Sequence, residues 1–189
     1  MTKKEKITTV ATEIFAKNGF FNTKISTIAE KAGIATGSVY LYFENKDSIL
    51  EEIFLNSWAV IEKKLQELLS RDLSSLDMFR EYFDYLVHIA VENILLVRML
   101  VREQHFLSSE HMISLKEKVT EIRILLAQMI QKGQKEDVFR KDIDPGTAAA
   151  VLMGGVWYFF VAKIDTIKKE KKEEMQKQLF EIFINGLKA

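Results

Sequence analysis

Thr23-Lys-Ile-Ser-Thr-Ile-Ala-Glu-Lys-Ala-Gly-Ile-Ala-Thr-Gly-Ser-Val-Tyr-Leu-Tyr-Phe-Glu-Asn-Lys-Asp-Ser-Ile-Leu50 reads as two short helices joined by a tight turn. Ile25, Ile28 and Ala29 recur at i, i+3 and i+4, which makes one side of the first helix apolar. Ala32-Gly33-Ile34 breaks it, and Gly33 can take the positive φ that a close helix-helix turn needs. The second helix is expected from about Ala35 to Leu41. Thr36, Ser38 and Tyr40 on it are small or carry hydroxyls, so they can bond to phosphates and base edges. The arrangement is that of a helix-turn-helix holding a short helix out to DNA.

Outward from this segment the chain reads as helices throughout. It has 189 residues, one Pro, 8 Gly, and no run with clean two-residue alternation. Ile7, Val10, Ala11, Ile14 and Phe15 form a stripe on a first helix that Asn18-Gly19 ends. Asn45 is placed to cap a long fourth helix, about Lys46 to Leu69, with Leu50, Ile53, Phe54, Ile61, Leu65 and Leu68 on its core face. Ser74 and Asp77 look like a capping pair for helix five. Asn93 marks a bend into helix six, expected to reach about Phe106, and Ser108-Ser109-Glu110 restarts the chain. Helix seven is expected to end near Gly133. Asp144-Pro145 starts helix eight, since Asp caps and Pro suits the first helical position. Lys168 to Lys172 links to helix nine. The expected fold class is all-α: an N-terminal three-helix helix-turn-helix domain, residues 1–45, and a helical ligand-binding and dimerisation domain, residues 46–189, about nine helices in total. Helix four is the only continuous rigid link between the two that the sequence shows.

Composition limits the chemistry. There is no Cys, so disulfides, thiolate metal sites and Cys nucleophiles are absent. His88, His105 and His111 lack the i, i+4 spacing of metal ligands, so no metal is expected. No phosphate-binding Gly-rich loop or nucleophile elbow occurs, so neither a cofactor nor an enzyme is expected. The formal net charge is zero, yet residues 1–43 carry six lysines against three glutamates and no other ionic residue. Modest basicity at this end suits phosphate contacts. No signal sequence is visible, which points to the cytoplasm.

Residues Gly19 to Leu50 resemble the TetR family of bacterial transcriptional repressors. The likeness runs through Gly19-Phe20, Thr23, Ile28-Ala29, Ala32-Gly33-Ile34, Gly37, Tyr40, Tyr42-Phe43, Lys46 and Leu50 without insertion. Where the family usually places a small hydroxyl residue at the head of the recognition helix, this chain has Ala35. Thr36 is then available to take over the cap and shift the helix start by one residue.

The contacts expected with double-stranded operator DNA are Lys24, Thr27, Thr36, Gly37, Ser38, Tyr40, Tyr42 and Lys46. Gly37 allows close approach to DNA or serves helix packing. Tyr40 and Tyr42 offer phenols to phosphates unless one of them is core. Lys46 sits in the first turn of helix four, where its charge and the helix N-terminus both favour phosphate.

Ala148 to Ala162 has no charged residue and is apolar or Gly on every side. At 15 residues it is short for a bilayer, so no membrane is expected, and a helix of this kind needs burial all round. Gly154-Gly155 would admit another backbone. The helix is then either the centre of a monomeric core or part of a subunit interface; the resemblance implies dimerisation through the last two long helices, so Val156, Phe160, Phe180 and Phe183 are expected at a homodimer interface. A two-fold dimer would read both halves of a palindrome.

Phe79, Phe83, Met99, Met129, Trp157 and Tyr158 suggest an interior that an apolar ligand could occupy, with Phe106, Trp58, Phe159 and Phe160 beside them. Arg98 and Arg102, one turn apart, could hold its anionic end. The layout resembles TetR-like regulators that sense fatty acyl-CoA or related lipidic effectors. The expected function is a repressor that a small apolar effector, such as a fatty acid or acyl-CoA, releases from its operator. The alternative is a DNA-binding protein of the same fold that acts through protein partners.

Overall fold

The structure is a computed structural model and describes residues 1–103, 111–163, 166 and 169–188. His105, Phe106 and the Ser108-Ser109-Glu110 restart lie outside the described residues, as does the side chain of His111. Nine α-helices are described: α1 Lys3–Asn18, α2 Ile25–Lys31, α3 Thr36–Val39, α4 Lys46–Ser70, α5 Ser75–Glu92, α6 Ile94–Glu103, α7 His111–Lys135, α8 Pro145–Lys163 and α9 Lys172–Leu187. A 3-10 turn, Lys169–Lys171, precedes α9. Among the described residues there is no strand beyond one isolated bridge between Phe139 and Lys188. The fold is all-α.

Local chemistry sets most helix ends. Thr2 and Glu5 cap α1 reciprocally: the Glu5 N–H donates to Thr2 Oγ1 at 3.1 Å and the Thr2 N–H to Glu5 Oε2 at 2.9 Å. Gly19 stops α1 at φ +81°. Asn45 Oδ1 accepts from the Ser48 N–H at 2.8 Å, and Ser48 Oγ accepts from the Asn45 N–H at 3.2 Å, so α4 starts on a second reciprocal pair. Ser74 Oγ accepts from the Asp77 N–H at 3.1 Å and opens α5. Asp144 Oδ1 accepts from the Thr147 N–H at 2.7 Å and opens α8 just ahead of Pro145.

α7 ends close to the expected Gly133, two residues past it. The helix runs through Gly133 to Lys135, and Asp137, at φ 57°, makes the turn. Gly133 is a packing site: a Cβ there would fall 2.1 Å from Cδ2 of Phe139. The Phe139 ring is buried and meets Phe79 edge-on, with centroids 5.6 Å apart.

The chain divides into two compact units. One holds Met1–Ser57 with Leu95–Glu117, and the other holds Trp58–Ile94 with Lys118–Ala189. In the first, here the head, Ile7, Ala11, Phe15, Ile28, Ala29, Val39, Leu50 and Met99 are buried. In the second, the body, α5 packs along α9, and one apolar cluster joins Leu65, Leu68, Phe79, Phe83, Leu126, Met129, Phe139 and Leu152. α6 and the start of α7 fall in the head unit.

α8 is 19 residues long, longer than its uncharged stretch suggested, and by length and apolarity alone is enough to cross a membrane. It is only partly covered. Ala148, Ala149, Leu152 and Phe160 are buried, while Val151, Gly154, Gly155 and Tyr158, at i, i+3, i+4 and i+7, stand exposed.

Candidate nucleic-acid interface

The turn between α2 and α3 closes on backbone bonds. The Gly33 N–H donates to Glu30 O and the Ile34 N–H to Ala29 O, both at 3.0 Å, with Gly33 at φ +65°. Ala35 is the N-cap of α3 with extended φ −65°, ψ 139°, and no side chain caps the helix. The expected shift of the cap to Thr36 does not occur, because the Thr36 backbone is already helical. Val39 on α3 is buried, as is Phe43 just past it, and together they fix α3 from beneath. Thr36, Gly37, Tyr40, Leu41 and Tyr42 face solvent, and Ser38 is half-buried. Tyr40 is 55% and Tyr42 41% exposed, so neither is core. A Cβ at Gly37 would touch nothing within 4 Å, so this glycine has no packing duty. Lys24, the N-cap of α2, and Thr27 are exposed.

Lys46 is turned inward. Its Nζ donates to the carbonyls of Phe20 at 2.6 Å, Thr23 at 3.0 Å and Phe21 at 3.3 Å, and lies 4.3 Å from the Phe20 ring centre. Burial pulls its pKa below the ordinary lysine value. The turn it holds, residues 19–23, joins α1 to α2. Thr23 tightens that turn by donating from Oγ1 to Gly19 O at 2.8 Å. From α6, the buried Glu103 carboxylate takes a hydrogen bond from the Phe20 backbone, and burial holds its pKa above the usual glutamate value. Sequence reasoning missed Glu103, since nothing in its local pattern links it to a turn some eighty residues earlier.

The residues expected around a ligand are divided. Phe79, Phe83 and Met129 share the body cluster and are fully packed. Phe83 meets Phe183 at 5.8 Å and Phe180 at 6.4 Å between ring centres. Trp157 lies against Trp58 at 6.2 Å. Tyr158 is 71% exposed and lines no interior, because the α8 phase turns it outward with Val151. Met99, Arg98 and Arg102 belong to the head unit, where Met99 is buried, Arg98 half-buried and Arg102 exposed.

Of the residues expected at an interface, Val156, Phe180 and Phe183 are half-buried against the body cluster, and Phe160 is covered within the chain. The apolar side chains that reach solvent on α8 and α9 are Val151, Tyr158 and Ile182, the last 75% exposed. Val151 and Ile182 line a groove of about 430 Å³ together with Phe83, Phe183, Gly155 and Gly186. Among the described residues no group of His, Asp and Glu gathers as a metal site.

An all-helical chain whose head unit exposes a helix-turn-helix, α2 and α3, has the build of a DNA-binding regulator. Residues 7–53 match the family described as "Bacterial regulatory proteins, tetR family", and residues 72–159 match "Tetracyclin repressor-like, C-terminal domain". The HTH-type transcriptional repressor KstR2 of Rhodococcus jostii is 29% identical over 160 residues, covering 82% of this chain and 76% of that one. The fatty acid degradation regulator FadR from Bacillus halodurans shares the fold at a TM-score of 0.89 and 19% identity, over 99% of this chain and 97% of that one. FadR from Bacillus subtilis, solved in complex with stearoyl-CoA, does so at 0.86 and 19% identity, over 97% and 98%. The chain belongs to the TetR family of bacterial transcriptional regulators.

Proposed function

We propose that this regulator is a cytoplasmic repressor that binds a palindromic operator as a homodimer and leaves it when a small apolar effector, of the fatty acid or acyl-CoA class, occupies the body. The observation that carries the reading is the anchored, outward-facing α3: Val39 and Phe43 hold it, and Thr36, Gly37, Ser38 and Tyr40 are open to a base edge. Lys24 and Thr27 serve neighbouring phosphates, together with Tyr42 and the backbone N–H groups that open α4. The homodimer rests on the α8–α9 face, where Val151, Tyr158 and Ile182 reach solvent and nothing lies within 4 Å of a Cβ at Gly154, Gly155 or Gly186. Two-fold pairing of this face would cover it and set two heads for two half-sites.

The effector class is supported by the aromatic body cluster and by the stearoyl-CoA bound to the similar fold from Bacillus subtilis. Phe79, Phe83 and Met129 are fully packed, so an acyl chain that enters between them has to displace them, and binding and rearrangement are then one event. The same packing favours a second reading, a repressor that answers to a protein partner. Titrating stearoyl-CoA and free fatty acids into a complex of the protein with a genomic DNA fragment separates the two. Release at micromolar ligand supports the effector reading, and an unchanged shift with all acyl ligands leaves the partner reading.

A further inference from the structure

From Ile34 to Phe43, across the turn and the whole of α3, no residue carries an ionic group or a side-chain amide. Bidentate base reading needs such groups: Arg or Lys on guanine O6 and N7, Asn or Gln on adenine N6 and N7. Of the neighbouring candidates, Lys24 is exposed at the N-cap of α2 and is assigned above to a phosphate, and the others are engaged elsewhere. Lys46 holds three carbonyls, Lys31 pairs with Glu13 at 2.8 Å, the Asn22 amide donates to Asn18 O, and the Asn45 side chain caps α4. What α3 and its flanks offer to a groove is the hydroxyls of Thr36, Ser38 and Tyr40 and the apolar groups of Ala35, Thr36 and Leu41. Leu41 is 81% exposed, and Ala35 and Thr36 are exposed too. A hydroxyl both donates and accepts, so it separates bases poorly. The one apolar group on the floor of the major groove is the thymine C5-methyl.

We propose that this head reads its operator half-site through thymine methyl groups, contacted by Ala35, Thr36 and Leu41, and makes no bidentate purine contact from α3. The inference rests on the DNA-binding reading above and specifies the chemistry of its operator.

The test begins with a duplex selected from a random-sequence library by the purified protein. Three versions are compared by fluorescence anisotropy: the selected duplex, the same duplex with deoxyuridine for every thymidine, and the same with 7-deazaguanine for guanine. Deoxyuridine keeps every hydrogen-bonding edge and removes only the methyl. Loss of a buried methyl is on the order of fourfold in affinity per contact, so the uracil duplex is expected to bind at least about tenfold more weakly, and the deazaguanine duplex within about twofold of the parent. Thr36→Ser, Ala35→Gly and Leu41→Ala are then measured on both thymine and uracil duplexes. At least one should weaken binding to the thymine duplex and leave the uracil duplex unaffected.

Equal binding of thymine and uracil duplexes overturns the inference while DNA reading stands. So does a large loss with 7-deazaguanine, which would put the reading of the half-site on a guanine edge in place of the thymine methyl groups. So does a uracil effect that none of the three variants shares, since methyl groups would then act through duplex shape. If no duplex is enriched over the starting library, the DNA-binding reading itself fails and the inference falls with it.

Discussion

Replacing Lys46 by methionine should cost the head about 2 kcal/mol of stability and leave the salt dependence of DNA binding unchanged. Methionine keeps most of the aliphatic stem, so the substitution removes the ammonium and little packing. The Phe21 carbonyl belongs to an exposed residue and can turn to water. The Phe20 and Thr23 carbonyls are half-buried acceptors, at 2.6 and 3.0 Å. Two such bonds, at about 1–1.5 kcal/mol each for a charged donor in a partly wet site, give about 2–3 kcal/mol, and some water entry lowers this. Urea unfolding measures the stability loss. Anisotropy between about 50 and 200 mM salt measures the second quantity. A lysine that neutralises a phosphate contributes about one unit to the slope of log affinity against log salt. An ammonium committed to three carbonyls contributes nothing, although overall affinity falls as the 19–23 turn loosens. A slope reduced by about one, with unfolding unchanged, would show that Lys46 leaves the carbonyls for a phosphate and would refute this reasoning.

Gly133→Ala should destabilise the body by about 1–3 kcal/mol despite the better helix propensity of alanine, because the new methyl meets the Phe139 ring; a rise in melting temperature would mean that the ring moves freely. Glu103→Gln should gain stability relative to the parent protein as pH rises from about 4 to 7. The folded-state pKa of Glu103 is raised, so its favourable contribution is complete below the ordinary glutamate value and is lost as pH climbs through the folded one. Parallel melting curves at all pH values would contradict this. Tyr158→Glu and Ile182→Glu alter exposed positions, so each should yield a folded monomer by light scattering and circular dichroism, and a dimer that survives both lies on another face.

Much of the fold was legible because its signals are local. Gly33, Asn45, Ser74 with Asp77, and Asp144-Pro145 act within four residues, and each stands where its spacing placed it. What was not legible depends on distant partners. Gly133 looked like a helix end, but it is small to make room for Phe139. Lys46 looked like a phosphate ligand, and its acceptors lie 23 to 26 positions earlier. α8 is apolar on every side, so its sequence carries no phase. Only packing against the body cluster decides that Phe160 turns in and Tyr158 out. Ala35 is the weak cap that its side chain implies, and Thr36 does not replace it: α3 starts uncapped and is held by Val39 instead.

The structure also changes which parts of the chain could carry a signal. Helix four was the one continuous link visible in the sequence. The chain passes between the units at three places: inside α4 after Ser57, at the α5–α6 corner after Ile94, and inside α7 after Glu117. The α4 and α6 routes converge on one feature of the head. Lys46 from α4 holds the carbonyls of the 19–23 turn, and Glu103 from α6 holds the Phe20 backbone of the same turn. A motion shared by both helices would carry the turn along unstrained. A displacement of α6 against α4 would pull it in two directions and re-aim α2, which begins two residues later. Coupling of about 1–3 kcal/mol suffices for derepression of 5- to 150-fold. If the turn is the relay, Glu103→Ala, which removes the acceptor that glutamine would keep, should bring operator affinities with and without effector closer together, and by reciprocity the effector should discriminate less between free and operator-bound protein. If Glu103→Ala lowers both operator affinities equally, the turn supports the head but transmits nothing, and the signal crosses by a route that bypasses it.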